Sequence, residues 1–175
     1  VTPNQVTISA CLLSILIGVL FYFNYESSWI YAVIPVFMFV RMAMNAIDGV
    51  LAKKFSLQSR LGKFLNELTD VISDTALFIP FLLLTQTFPA SVIIFISLSI
   101  ISEMAGVLSE ATAGERRYDG PMGKSDRAFL IGAVAVLLLF NVPLEPYLHI
   151  VFIIASALMA VNIYKRVLGG LEETQ

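Results

Sequence analysis

Cysteine, histidine and charge are all scarce in this chain. The single Cys11 lies in an apolar run, so no internal disulfide framework and no thiolate metal spacing can be built, and packing is the role left to it. The single His149 has no partner at metal-ligand spacing and reads as a solvated or interfacial side chain. Charged residues make up only 14% of the chain while 58% is hydrophobic, with a mean hydropathy of +0.84. A soluble domain of this length needs far more polar surface. A net charge of −2 offers no basic surface to nucleic acid, and no nucleic-acid partner is expected. Low-complexity linkers, internal repeats and a basic leader segment are also lacking.

What is there in abundance is long apolar sequence. The composition indicates an all-α integral membrane protein, with six candidate transmembrane spans at about 6–23, 29–52, 62–84, 90–112, 125–142 and 146–165. The connections Asn24 to Ser28, Thr85 to Pro89 and Asn141 to Pro146 hold turn formers and no Lys or Arg. By contrast Lys53, Lys54, Arg60, Lys63, Arg116, Arg117, Lys124, Arg127, Lys165 and Arg166 fall on the other side, 10 of the 11 basic residues. By the positive-inside rule both termini are cytoplasmic. Residues 1–175 read as one six-helix domain. Pro3 and Asn4 mark a helix start, and an opening at Val1 without Met is what a chain that had lost a preceding interfacial helix would show. Trp29, Tyr22, Tyr25 and Tyr31 fit an aromatic belt at the outer interface, Ser97, Ser99 and Ser102 fit helix contacts, and the tail at Glu172 and Glu173 reads as solvated.

Carboxylates are out of place in such spans, where each costs about 2.5–3.5 kcal/mol even on a lenient insertion scale. They cluster nonetheless. With a rise of about 1.5 Å per residue, Asp48 lies about 8 Å inside the cytoplasmic end of the second span, and Asn66 and Asp70 about 5 and 10 Å inside that of the third. Asn45 and Asp48 are three apart and Asn66 and Asp70 four apart, so each pair shares a helical face and four oxygen-bearing side chains can converge. That donor set suits a hard divalent cation, magnesium above all, which keeps places for water and substrate phosphates. Gly49 and Ala52 leave one side of the second helix without bulk, so an extended ligand could lie against it. Lys53 and Gly62 line the mouth, with Lys53 set to meet a phosphate as a point charge. Close helix packing is the plainer use of Gly49 and Ala52. Glu67 points about 100° away from Asn66 and reads as a surface or interface charge.

A second polar level lies deeper. Arg41, Asp74 and Glu103 all fall near mid-membrane by the same count, so Arg41 is expected to pair with Asp74, Glu103 or both and to brace the second, third and fourth spans.

The stretch Asn45-Ala46-Ile47-Asp48-Gly49-Val50-Leu51-Ala52-Lys53, then eight residues, Gly62, three residues, Asn66, three residues and Asp70, resembles the signature of the CDP-alcohol phosphotransferases. That signature runs D, two residues, DG, two residues, AR, eight residues, G, three residues, D, three residues, D. Asn45 and Asn66 stand where the family has aspartate, and Lys53 stands where it has arginine. The likeness extends over essentially the whole chain, including Pro3, Asn4 and Thr7 at the start and Gly123-Lys124-Ser125-Asp126-Arg127 before the fifth span. The chain also resembles a bacterial inner-membrane branch of the family that reads similarly through Asn66-Glu67-Leu68-Thr69-Asp70.

The resemblance implies a six-helix fold, a homodimer, and an active site at the cytoplasmic ends of the second and third spans of a bacterial inner-membrane protein. It implies transfer of a substituted phosphoryl group from CDP-diacylglycerol, or another CDP-alcohol, to an acceptor alcohol with release of CMP, in phospholipid biosynthesis. Asn45, Asp48, Asn66 and Asp70 would ligate Mg2+ or Mn2+, and Asp70 would serve as base. Gly49, Ala52, Lys53, Gly62, Lys124 and Arg127 would line the nucleotide and phosphate site. Two other readings stay open on the residues: an ion-coupled membrane transporter, which would also bury acidic groups, and a family member that binds nucleotide-lipid without turnover because Asn45 and Asn66 have weakened it.

Overall fold

A computed structural model describes residues 2–172, whose regular structure is all helical, with no strand among them. Glu173 lies outside the described residues. Thr2 caps α1 (Pro3–Asn24) in a reciprocal pair with Gln5, with Pro at the first helical position where its missing N–H costs nothing. α2 runs Ser28–Lys54, with Pro35 accommodated inside it beside Gly132, where a Cβ would come within 3.8 Å of the proline ring. Ser59 caps α3 (Arg60–Phe78) by accepting from the Gly62 N–H at 3.0 Å.

The third expected span is broken. Pro80 has no N–H to continue the ladder, so α3 stops at Phe78 and a separate turn, α4 (Phe81–Leu84), follows. The Ala76 carbonyl would have met that missing N–H, and Gly18 of α1 presses against it. α5 is Ala90–Ala113, closed by Gly114 in the left-handed region at φ +85°. α6 is Lys124–Leu139. A 3-10 turn at Glu145–Tyr147 then leads into α7 (Leu148–Glu172).

Length and composition make α1, α2, α5 and the stretch Glu145–Glu172 four helices able to cross a membrane. α3 carries Arg60, Lys63, Glu67, Asp70 and Asp74, and α6 is only 16 residues long, so neither joins that set. α1 packs on α3 and α2, α2 on α6, and α5 on α7, with α3 against α5 closing the bundle.

The two ends of the bundle differ in chemistry. One end is a ladder of edge-on and tilted rings: Phe21 on Phe81 at 5.1 Å, Phe81 on Phe152 at 5.7 Å, Phe152 on Phe95 and Phe95 on Phe78 both at 5.2 Å. These rings come from the C-terminal ends of α1 and α3, from α4, and from the N-terminal parts of α5 and α7. At the opposite end α2 finishes, α3 and α6 begin, and the polar residues collect. The apolar ladder fixes the helix spacing that holds the polar end together.

Candidate functional site

Asp48 and Asp70 are both buried, on α2 and α3. Asp48 Oδ2 accepts a hydrogen bond from Thr7 Oγ1 at 2.6 Å, so the first turn of α1 reaches the site. Asp70, on α3, is held from two other helices, α2 and α6. Asn45 Nδ2 of α2 donates to Asp70 Oδ1 at 3.1 Å, Arg41 Nη2 stands 3.7 Å from the same oxygen, and Lys124 Nζ of α6 forms an ion pair with Oδ2. Arg41 Nη2 also donates to the Asp70 backbone oxygen at 3.3 Å. Asn45 and Asn66 are half-buried, one turn from Asp48 and Asp70 respectively.

The structure therefore brings Asn45, Asp70 and Lys124 into direct contact, with Asp48 one turn further along α2 and Asn66 one turn back along α3. Gly49 is exposed, and a Cβ built there meets nothing within 4 Å. Close packing is thus not what requires a glycine at 49; the space beside it is open. Ala52 is half-buried and Lys53 exposed at the helix end. A Cβ at Gly62 would stand 3.0 Å from Asn4 Oδ1, which puts Asn4 of α1 at the mouth as well.

Arg127 takes a different position from the one its neighbourhood in the sequence suggests. It is fully buried, with Nη2 donating to Asp74 Oδ2 at 2.9 Å and to Glu103 Oε1 at 2.8 Å, and Nε to Asp74 at 3.2 Å. On α6 it lies one turn in from Lys124, on the face turned to the core, so it braces helices where an exposed arginine would meet phosphate. Arg41 pairs with Asp74 at 2.6 Å, one of the two partners its depth allowed. Glu103 does not reach Arg41. It takes Arg127 and, through Oε2, Arg116 at 2.7 Å, with Arg166 of α7 at 3.8 Å.

Arg116 comes from the loop after α5 and also pairs with Glu67 of α3, which makes Glu67 an interface charge. Burial pushes the Arg116 guanidinium below its ordinary pKa, though a guanidinium stays charged at any working pH. The result is a chain of ion pairs from α2 through α3 and α6 to α5. Ser102 on α5 joins α7 by donating to Asn162 Oδ1 at 2.7 Å, whereas Ser99 bonds within its own helix and Ser97 is exposed. His149 is half-buried at the start of α7, and no group of three or more His, Cys, Asp or Glu side chains able to hold a metal occurs among the described residues.

Thr7 and Asn4 belong to the site and were visible in the sequence only as part of the start that resembles the family. The residues present fit a hard divalent cation on the chemistry of the donor set. Asp48 would supply a carboxylate, Asn45, whose nitrogen is spent on Asp70, its carbonyl oxygen, and Asn66 a further amide oxygen.

Comparison with known proteins agrees with this architecture. Escherichia coli (strain K12) inner membrane protein YnbA is 43% identical over 132 residues, covering 75% of this chain; the match spans 65% of that protein's length. Two crystal structures of Mycobacterium tuberculosis phosphatidylinositol phosphate synthase share the fold, both at TM-score 0.79 and 19% identity. One, with CDP-DAG bound, is matched over 97% of this chain and 86% of its own, and the other, in complex with manganese and citrate, over 98% and 83%. The family model for CDP-alcohol phosphatidyltransferases matches residues 1–164, and with the signature spacing set on α2 and α3 around Asp48 and Asp70, the chain belongs to that family.

Proposed function

We propose that this protein transfers a phosphatidyl group from CDP-diacylglycerol to an acceptor alcohol and releases CMP. The observation that carries the reading is the grip on Asp70: Asn45 and Lys124 hold its two oxygens, one turn of helix from Asp48 and beside the open flank at Gly49. The solved synthase with CDP-DAG bound supports the donor, and the one with manganese supports a divalent ion.

Asp48, with the amide oxygens of Asn45 and Asn66, would hold Mg2+ or Mn2+. Bound there, the ion supplies neutralisation of the diphosphate and of the charge developing on the CMP leaving group. The open flank along Gly49 and Ala52 admits the donor against the backbone of α2. Lys53, exposed at the helix end, meets a phosphate oxygen, and Gly62 keeps the mouth clear. Asp70 accepts the proton of the acceptor hydroxyl as that oxygen forms its bond to the lipid-linked phosphorus and the bond to CMP breaks. Arg41 and Asn45 fix where that carboxylate stands.

The reading carries a topology with it. Six crossings, with α3 and α4 together making the third, put both termini and the site on the cytoplasmic face of a bacterial inner membrane, in a homodimer. α3 can cross despite its charges because Asp70 and Asp74 face partners inside the bundle. The same pairing favours a transferase over an ion-coupled carrier, since Asp74 and Glu103 are each held by guanidinium groups and do not form an open relay.

The test is CMP release from CDP-diacylglycerol by purified protein with Mg2+ or Mn2+ and a panel of alcohols, beside the Asp70→Asn variant. Release that needs metal and one acceptor, and that disappears in the variant, is the expected result. CDP-diacylglycerol binding without release under any acceptor would point to the weakened family member. Flux of a solute without CMP release would overturn the reading.

A further inference from the structure

The signature positions hold two carboxylates where the pattern allows four, and the structure gives the two different company. Asp48 has the Thr7 hydroxyl on Oδ2, and among the described residues no cation sits on it. Asp70 has an N–H donor on each oxygen: the Asn45 amide on Oδ1, with the Arg41 guanidinium 3.7 Å away, and the Lys124 ammonium on Oδ2. Each donor takes up one acceptor site on its oxygen, and the positive charges of Lys124 and Arg41 beside the carboxylate oppose a divalent cation there. The amide of Asn45 is turned so that its nitrogen faces Asp70 and its oxygen does not, which ties it to Asp70 as a neutral donor in a way that no aspartate at 45 could reproduce.

We propose that the site binds one divalent cation per chain, at Asp48, and that the Lys124 ammonium takes the second cationic position, beside Asp70. This rests on the transferase reading. A two-metal site needs its ions about 3.5–4 Å apart with carboxylates shared between them. Here a pair of divalent ions would bring four positive charges to two carboxylates, one of which is already matched by a lysine and approached by an arginine. One ion at Asp48, its remaining charge met by the diphosphate of the donor, displaces none of these partners. Lys124 sits at the first position of α6, where the long side chain reaches back over the mouth, and Gly123 before it is held by the Asp126 carboxylate at 3.0 Å. The asparagines at 45 and 66 are then matched to the lysine: the charge lost from the ligand set is the charge that a second ion would have required.

The test is a Mn2+ titration of the purified full-length chain in detergent with saturating CMP. It counts bound ions and records the electron paramagnetic resonance spectrum of the bound fraction, with CMP release from CDP-diacylglycerol assayed on the same samples. One ion per chain with the spectrum of an isolated Mn2+ is expected, lost in Asp48→Asn. The triple variant Asn45→Asp, Asn66→Asp, Lys124→Gln should rise from one ion to two, with a spectrum broadened by coupling between them. Two coupled ions in the unmodified chain would overturn the inference; if CMP is still released, the transferase reading stands. No bound ion together with CMP release that needs no metal would overturn the inference alone; no bound ion and no CMP release with any acceptor would overturn both. The count on the unmodified chain decides by itself, so a variant that fails to fold leaves the test intact.

Discussion

Thr7 Oγ1 donates to Asp48 Oδ2 across 2.6 Å, and through that bond the first turn of α1 sets the orientation of a carboxylate on α2. The same hydroxyl lies 3.0 Å from the Pro3 carbonyl, so its position is fixed from its own helix. A partner that orients a ligand in this way is worth 10- to 100-fold in metal affinity or activity, on the order of what outer-shell partners give elsewhere. Thr7→Val, close in volume but without the hydroxyl, should weaken Mn2+ binding and CMP release by a factor in that range, and Thr7→Ser should restore most of both. Equal behaviour of the valine and serine variants would remove Thr7 from the site.

Asp74 pairs with two buried arginines at once, Arg41 at 2.6 Å and Arg127 at 2.9 Å, the latter shared with Glu103. Removing one partner of a buried pair strands the other charge, at a cost of about 3–5 kcal/mol. Asp74→Ala should lower the thermal midpoint in detergent by several degrees or abolish folded protein. The pair of Lys63 with Glu110 is solvent-exposed, and Lys63→Ala should cost under about 1 kcal/mol. The contrast between the two variants, read in one denaturation series, separates a brace from an ornament.

Much of this site was legible before any coordinates. The three- and four-residue intervals from Asn45 to Asp48 and from Asn66 to Asp70 fix faces, and helix rise fixes depth, so the partners of Arg41 narrow to Asp74 and Glu103, of which the structure takes Asp74. What escaped came from elements whose direction the sequence does not record. Arg116 enters from a loop that folds back to Glu103 and Glu67, a path no interval predicts. Arg127 shares a short basic stretch with Lys124, yet the turn of α6 sends one inward to Asp74 and Glu103 and leaves the other over Asp70. The end of α3 was announced by Pro80, but a hydropathy window runs straight through a proline, and only the missing N–H explains the break.

Gly18 and Gly49 make opposite demands on their neighbours. A Cβ at Gly18 would lie 2.3 Å from the Ala76 backbone oxygen, a contact that only movement of α1 away from α3 can relieve. Overpacking of that kind costs about 1–3 kcal/mol, and here the obstacle is main chain and cannot change rotamer. Gly18→Val should therefore reduce thermal stability by that order, and because α1 also carries Thr7 to Asp48, it should weaken Mn2+ binding alongside. Gly18→Val with unchanged stability would mean that α1 and α3 pack less closely than described.

At Gly49 the space that a side chain would enter is open, next to Asp48 and on the flank assigned to the donor. Gly49→Ala should leave the thermal midpoint unchanged or raise it slightly, because a helix-interior glycine is worth about 0.5–1 kcal/mol less than alanine. Gly49→Leu should fold equally well while filling the flank, so that the KM for CDP-diacylglycerol rises at least about tenfold, the effect of losing roughly 1.4 kcal/mol of donor binding. Stability and activity are expected to part company at this residue alone among the glycines of the signature, since Gly62 already stands against Asn4 and Ser59. Parallel loss of folding and activity in Gly49→Leu would mean that the open flank is a packing surface, and the donor would have to enter elsewhere.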